Sequence, residues 1–180
     1  GKEMQISGTP IELLPGLAAG MADALKALYI YTIEQMAGLP DIAPARLLDA
    51  GCGTGFAQDD LQARFPNAHS VALDLSPAML NRVATPCCRV SGDLEHLPLA
   101  DASLDLYWSS LAVQWCDLGT ALREAHRALR PNGLVALASL GPATFHELRH
   151  AFADVDDYRH TLSFHSENEI RKIAVNQGFA

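Results

Sequence analysis

Residues Arg46 to Gln58 read RLLDAGCGTGFAQ, an apolar run followed by three glycines in five positions, Gly51, Gly53 and Gly55, and then by a segment of helical period. Glycine loses more conformational freedom on folding than any other residue. Three in one bend are costly unless the backbone must turn through left-handed conformations or let another group approach closely. A strand, a glycine-rich bend and a helix form the opening unit of an open α/β sheet, in which the bend and the helix start present N–H groups to a ligand. This unit points to an α/β fold with a mostly parallel sheet and helices on both faces.

The rest of the chain repeats the alternation. HSVALDL is a second strand, followed by Ser76 and Pro77 as N-cap and first-turn residues of a helix; CCRVSG and SLDLYWSSL are a third and a fourth strand. GTALREAHRALR is an amphipathic helix closed by the turn Pro131–Gly133. LVALASL is a fifth strand, apolar at almost every position, as expected where both faces are covered. TFHELRHAFADV and SENEIRKIAVNQ are two further helices, the second capped at Gly178. Residues 1–44 hold enough apolar spacing for a helical lid or side layer, and residues 45–180 form the ligand-binding unit of a single overall domain. A strand buried on both faces makes a poor sheet edge, so either a strand beyond Ala180 or some other segment must cover LVALASL.

Composition narrows the function classes. A formal charge of -8 argues against a general nucleic-acid binder. The acidic excess lies in residues 1–119, with 14 Asp and Glu against 6 Lys and Arg, whereas residues 120–180 carry 7 of each. An acidic partner is therefore expected on the C-terminal third. No apolar run approaches the roughly 20 residues that span a bilayer, and the expected location is cytoplasmic. Cys52, Cys87, Cys88 and Cys116 show no CxxC pair and no metal-ligand spacing, which reads as reduced structural thiols.

The glycines follow a GxGxG spacing, and Phe56 stands where a dinucleotide fingerprint needs its last glycine. A pyrophosphate clamp, and with it a nicotinamide-dependent oxidoreductase, is disfavoured. Asp74 ends the second strand 19 residues after Gly55, where an acid accepts hydrogen bonds from the two hydroxyls of a ribose. Asp93, just past the third strand, is placed to take the exocyclic amine of an adenine, with Leu94 packing on the ring. Taken singly, each acid reads equally as a cap or a turn residue. Three such features at the ends of three successive strands point to one nucleoside site.

LLDAGCGTG, ALDLS, GDLEHLPLADASLDL and ALRPNG, in that order over about residues 45–140, resemble the class I S-adenosylmethionine-dependent methyltransferases. SSLAVQWC, LGPATFHELR and DVDDYRHTLSF are similar to the malonyl-[acyl-carrier protein] O-methyltransferase family of biotin synthesis. The resemblance implies a Rossmann-like fold with S-adenosyl-L-methionine as cofactor. Asp49, Gly51, Gly53 and Gly55 would hold its methionine part, Asp74 its ribose, and Asp93 and Leu94 its adenine; Leu75 is a further cofactor-binding residue, and Ser109 or Ser110 would lie beside it. The chain departs from the pattern in two places. ALYIYTIEQ, with Tyr29 and Tyr31, is a loose counterpart of the aromatic segment that reaches over the cofactor, and the chain stops at QGFA, short of the superfamily's C-terminal edge strands.

A carboxylate acceptor needs no general base, only orientation and removal of water. Arg149, and after it Arg159 with His160, are the expected carboxylate-orienting residues, since a guanidinium holds a carboxylate through two parallel hydrogen bonds. Gln114 and Trp115 follow the fourth strand near the pocket mouth. Arg123, Arg127 and Arg130 recur at helical spacing and, with Arg149, His150, Arg159, Arg171 and Lys172 beyond them, make the C-terminal third the expected docking surface for an acidic acyl-carrier protein, with a CoA thioester as the alternative acyl carrier. A methyltransferase of the same fold acting on a small acid or quinone precursor, or a non-catalytic cofactor-binding subunit, would share every cofactor residue.

Overall fold

In the computed structural model the described residues are 2–6, 34–147, 150 and 162–180. They form a six-stranded sheet of β1 (Glu3–Ile6), β2 (Arg46–Ala50), β3 (His69–Asp74), β4 (Cys88–Ser91), β5 (Leu104–Ser110) and β6 (Leu129–Ala138). The order is β1-β6-β5-β2-β3-β4, and every pairing is parallel. The helices are α1 (Gln58–Arg64), α2 (Pro77–Leu80), α3 (Leu118–Ala128) and α4 (Glu167–Asn176).

Neighbouring residues of the central strands enter opposite cores. Leu47, Leu106, Trp108, Leu134 and Ala136 pack with Leu61 and Phe65 on one face. Leu48, Tyr107, Val135 and Leu137 pack with Leu122, Ala125, Ile170, Ala174 and Phe179 on the other. Alternation across a strand sends side chains to both faces, so these strands must be apolar throughout. Each fully buried leucine contributes roughly 1.5–3 kcal/mol.

Capping chemistry sets the helix ends. Ser76 Oγ accepts from Met79 N at 3.4 Å ahead of Pro77, Asp117 Oδ1 accepts from Thr120 N at 2.8 Å, and Ser166 and Glu169 form a reciprocal capping box. Gly178, at φ +97°, closes α4 and lies against His126.

Two features differ from the sequence reading. The turn Pro131–Gly133 lies inside β6 as a bulge: the register moves from Leu104↔Leu129 to Leu106↔Leu134, and Asn132 takes φ +66°. Glu3–Ile6, assigned by sequence to a helical layer, is a strand, and it covers the open edge of β6 by parallel pairing. Four residues are too few for their alternation to announce a strand, whereas an uncovered β6 leaves a row of backbone groups without partners. Of the expected N-terminal helices, residues 7–33 lie outside the described residues, and Gln35–Gly38 is a single 3-10 turn. The expected helix over 144–155 lies largely outside them as well.

Candidate active site

Strand order reverses beside β2, with β3 and β4 on one side and β5 and β6 on the other, so the loops after these strands leave the sheet at one edge and frame a crevice. Gly51, Gly53 and Gly55 have φ of +74°, +55° and +80°, in the region that costs other residues about 1–2 kcal/mol. Their surroundings separate them. A Cβ on Gly51 would stand 2.2 Å from Ala112 Cβ, and one on Gly55 2.8 Å from Val83 Cγ1, so the protein's own packing requires both glycines. A Cβ on Gly53 would meet nothing within 4 Å. The middle glycine opens outward.

Asp74 ends β3 with both oxygens held by backbone: Gly53 N donates to Oδ2 at 2.8 Å and Ser76 N to Oδ1 at 2.9 Å. An ionised carboxylate offers about four acceptor positions. Two remain for hydroxyls from outside, in an orientation already fixed. Gly92 N donates to Asp74 O at 3.1 Å, which draws the loop after β4 against the end of β3. Asp93 Oδ1 there accepts from Glu95 N at 2.9 Å, and Oδ2 lies 3.6 Å from His96 Nδ1. Leu94 is buried against the Gly51 bend, and Leu75, 73% exposed, offers an apolar face just past Asp74.

Asp49, 2% exposed, accepts a hydrogen bond at Oδ2 from Gln58 Nε2 at 2.8 Å, and Gln58 Oε1 accepts one from Ser70 Oγ at 2.7 Å. Burial pushes the Asp49 carboxyl up to about 7; the Gln58 hydrogen bond partly offsets this and the Asp74 carboxylate adds repulsion. Neither acid is ion-paired among the described residues. Two acids in this state favour a ligand group carrying positive charge. Cys52, within the bend, is no nucleophile: burial first, then Asp49 and Asp74, push its thiol up to about 12. No cluster of three metal-ligating side chains occurs among the described residues.

The structure thus gathers Asp49, Gly51, Gly53, Gly55, Asp74, Leu75, Asp93 and Leu94 at one edge. Ser109 is a correction. It is fully buried and donates its hydroxyl to Ala50 O at 2.8 Å, joining β5 to β2 inside the sheet. Gln58 and Ala112 escaped the sequence reading: the first is a polar residue on a helix face that turns inward, and the second matters only once the loop after β5 meets Gly51. Arg149, Arg159, His160, Tyr29 and Tyr31 lie outside the described residues.

The loop after β5 is strained. Leu111 has φ +55°, with its N–H bonded to Ala138 O at 2.8 Å and its carbonyl accepting from Gln114 Nε2 at 2.7 Å. Trp115 is 74% exposed. On α3 the expected basic stripe divides. Arg127 is bound to Glu124, Asp101 and the carbonyls of Leu97 and Leu99, and Arg130 to Asp105 and Ala102 O. Arg123 makes no contact ion pair among the described residues and is exposed.

Solved structures of a similar fold include an S-adenosylmethionine-dependent methyltransferase from Mesorhizobium loti (TM-score 0.65, 24% identity, 82% of this chain and 79% of that one). Another is geranyl diphosphate C-methyltransferase from Streptomyces coelicolor in complex with S-adenosyl-L-homocysteine (TM-score 0.65, 17% identity, 87% and 62%). The malonyl-[acyl-carrier protein] O-methyltransferase of Dechloromonas aromatica is 80% identical over 143 residues, covering 79% of this chain and 55% of that protein. That of Laribacter hongkongensis is 41% identical, covering 91% of this chain and 61% of that protein. The chain thus spans just over half the length of these relatives. The family model described as "Methyltransferase domain" matches residues 48–137, half of the sequence, and the chain belongs to that family.

Proposed function

We propose that the chain binds S-adenosyl-L-methionine in the crevice beside β2 and methylates the free carboxylate of a malonyl thioester carried on an acyl-carrier protein. The observation that carries the cofactor reading is the outward-opening Gly53, whose N–H is already bonded to the strand-end acid Asp74. The relatives, named for malonyl-[acyl-carrier protein] O-methylation, support the acceptor.

When bound, the cofactor supplies a methyl group on a sulfonium cation. Asp74, fixed by two backbone N–H groups, keeps acceptor capacity for two ribose hydroxyls. Leu94 and Leu75 provide apolar surface for the adenine, and Asp93 an acceptor for its amine. Asp49 answers the positive charge of the methionine part, and an approaching cation favours its ionised form. A carboxylate acceptor would need no general base, so the substrate side has only to orient the anion and exclude water. Arg149 and Arg159 are assigned to that orientation because a guanidinium can hold a carboxylate through two parallel hydrogen bonds.

A radiolabelled methyl assay across malonyl carrier protein, malonyl-CoA and free diacids tests the proposal. Transfer to the malonyl thioesters, fastest on the carrier protein, is the expected result. Binding of S-adenosylhomocysteine without transfer to any malonyl acceptor would overturn it and favour an accessory subunit.

A further inference from the structure

Beside the glycine bend, three elements each contribute one buried polar side chain to a single row: Ser70 from β3, Gln58 from the start of α1 and Asp49 from β2. Gln58 N also donates to Gly55 O at 3.1 Å, which ties the row to the bend. An apolar residue would serve the fold more simply at position 58, because a buried amide is destabilising unless both of its ends are met. Here both are met, and by groups that are not themselves part of a helix or sheet ladder.

The row has a property that a simple anchor lacks. A serine hydroxyl donates or accepts, and an amide has a donor end and an acceptor end of nearly the same shape. In the structure Ser70 Oγ donates to Gln58 Oε1 and Gln58 Nε2 donates to Asp49 Oδ2, the arrangement suited to an ionised carboxylate. Turned by half a rotation, the same amide donates to Ser70 Oγ and accepts the O–H of a protonated Asp49. The row therefore satisfies the acid with its proton and without it. No cation pairs with Asp49 among the described residues. Burial favours the neutral acid, the Gln58 hydrogen bond favours the ion, and the Asp74 carboxylate at the end of β3 sides with burial; the thiols of Cys52 in the bend and Cys87 before β4 also feel the Asp49 charge. The described side-chain polar atoms sealed away without a partner are Tyr107 Oη, Trp108 Nε1 and Gln114 Oε1, and neither oxygen of Asp49 is among them.

We propose that Asp49 is a proton-exchanging counter-ion and Gln58 the positioning residue that turns with it: Asp49 is neutral in the cofactor-free protein and gives up one proton to solvent when the positively charged methionine part of the cofactor arrives, with Gln58 offering Oε1 before and Nε2 after. This rests on the S-adenosyl-L-methionine reading of the preceding section. Because binding releases a proton, acid opposes it, and affinity falls as pH falls.

The test is calorimetric titration with S-adenosylhomocysteine, whose ammonium keeps a positive charge on the methionine part, from about pH 5.5 to about pH 8 in buffers of different ionisation enthalpy, which counts the protons released. The wild-type chain should release close to one proton near pH 6 and almost none near pH 8, with affinity falling up to about tenfold for each unit below about pH 7. Asp49→Asn should release none. Gln58→Met keeps the volume and removes the donor, so the pH at which affinity begins to fall should rise by about one unit, a loss of about tenfold near pH 6 and only about twofold near pH 8. A purely structural role for Gln58 would instead lower affinity by one factor at every pH, and that result would overturn the proposal. Binding without proton release by the wild-type chain near pH 6 would also overturn it and leave the cofactor reading standing; this count decides the matter even if neither variant folds. No binding of S-adenosylhomocysteine at any pH would overturn the cofactor reading, and the proposal with it.

Discussion

The two halves of the crevice are built from different materials. On the side of β2, β3 and β4 the contacts are backbone: left-handed glycines, N–H groups aimed at Asp74, and a loop drawn in by Gly92 N. On the side of β5 and β6 the lining is side chains from a short turn and from the segment before α4. A backbone-built half is fixed as soon as the sheet forms and tolerates little change. A half lined by side chains can be altered residue by residue, which is where acceptor specificity is expected to reside.

The sharpest way to break this comparison uses two glycines of one bend. Gly51→Val adds atoms where even a Cβ would lie 2.2 Å from Ala112 Cβ, at φ +74°. Overpacking and backbone strain together are expected to cost about 3–5 kcal/mol, read as a large drop in Tm or as insoluble protein. Gly53→Ala, with nothing within 4 Å of the new carbon and φ +55°, should cost only about 1–2 kcal/mol of stability. It should nonetheless weaken S-adenosylhomocysteine binding by tenfold or more in calorimetry. Unchanged affinity would mean that the cofactor does not approach this backbone.

Next in size is Asp49. Its folded-state carboxyl is raised to about 7 from the ordinary 3.8, so between those pH values the native state holds a proton that the unfolded state has lost. The stability this adds is fully present below about pH 4 and disappears as pH rises through about 7. Asp49→Asn keeps the shape and removes the titration. Cofactor-free wild-type protein should lose on the order of a few kcal/mol across that window, relative to the variant, in urea melts at a series of pH values. Parallel curves would show that Asp49 is ionised throughout.

What could be read from the sequence follows the same division. The strand–glycine–helix unit, Asp74 at its strand tip and the caps at Ser76 and Gly178 carry local signals, because φ above zero, strand ends and caps each select few residue types. Ser109 was misplaced because the direction of a strand residue depends on register: only the pairing of β5 with β2 puts its hydroxyl under Ala50 O. The strand Glu3–Ile6 was missed because its partner, β6, lies more than a hundred residues away and nothing local marks it. The bulge in β6 looked like a strand boundary because PNG is turn chemistry wherever it occurs, including inside a ladder.

The basic stripe on α3 tests the same distinction at smaller scale, since helical spacing cannot separate a cation bound to its own fold from one offered to a partner. Arg127, bridging Glu124, Asp101 and two carbonyls, belongs to the fold; Arg127→Ala should cost about 1–3 kcal/mol through the acceptors it leaves unpaired.

Arg123 is expected to give the smallest effect. It makes no contact ion pair among the described residues and is exposed, so Arg123→Glu should move stability by less than about 0.5 kcal/mol. If α3 faces an acidic carrier, the same change should raise KM for the carrier-bound substrate roughly two- to fivefold at low salt. The difference should fade near 0.5 M salt, where screening shortens to about half its physiological length, and the KM for malonyl-CoA should change less. An effect that persists at high salt would mean that Arg123 acts through local structure, and α3 would then be a structural helix whose charges serve the chain's own loops.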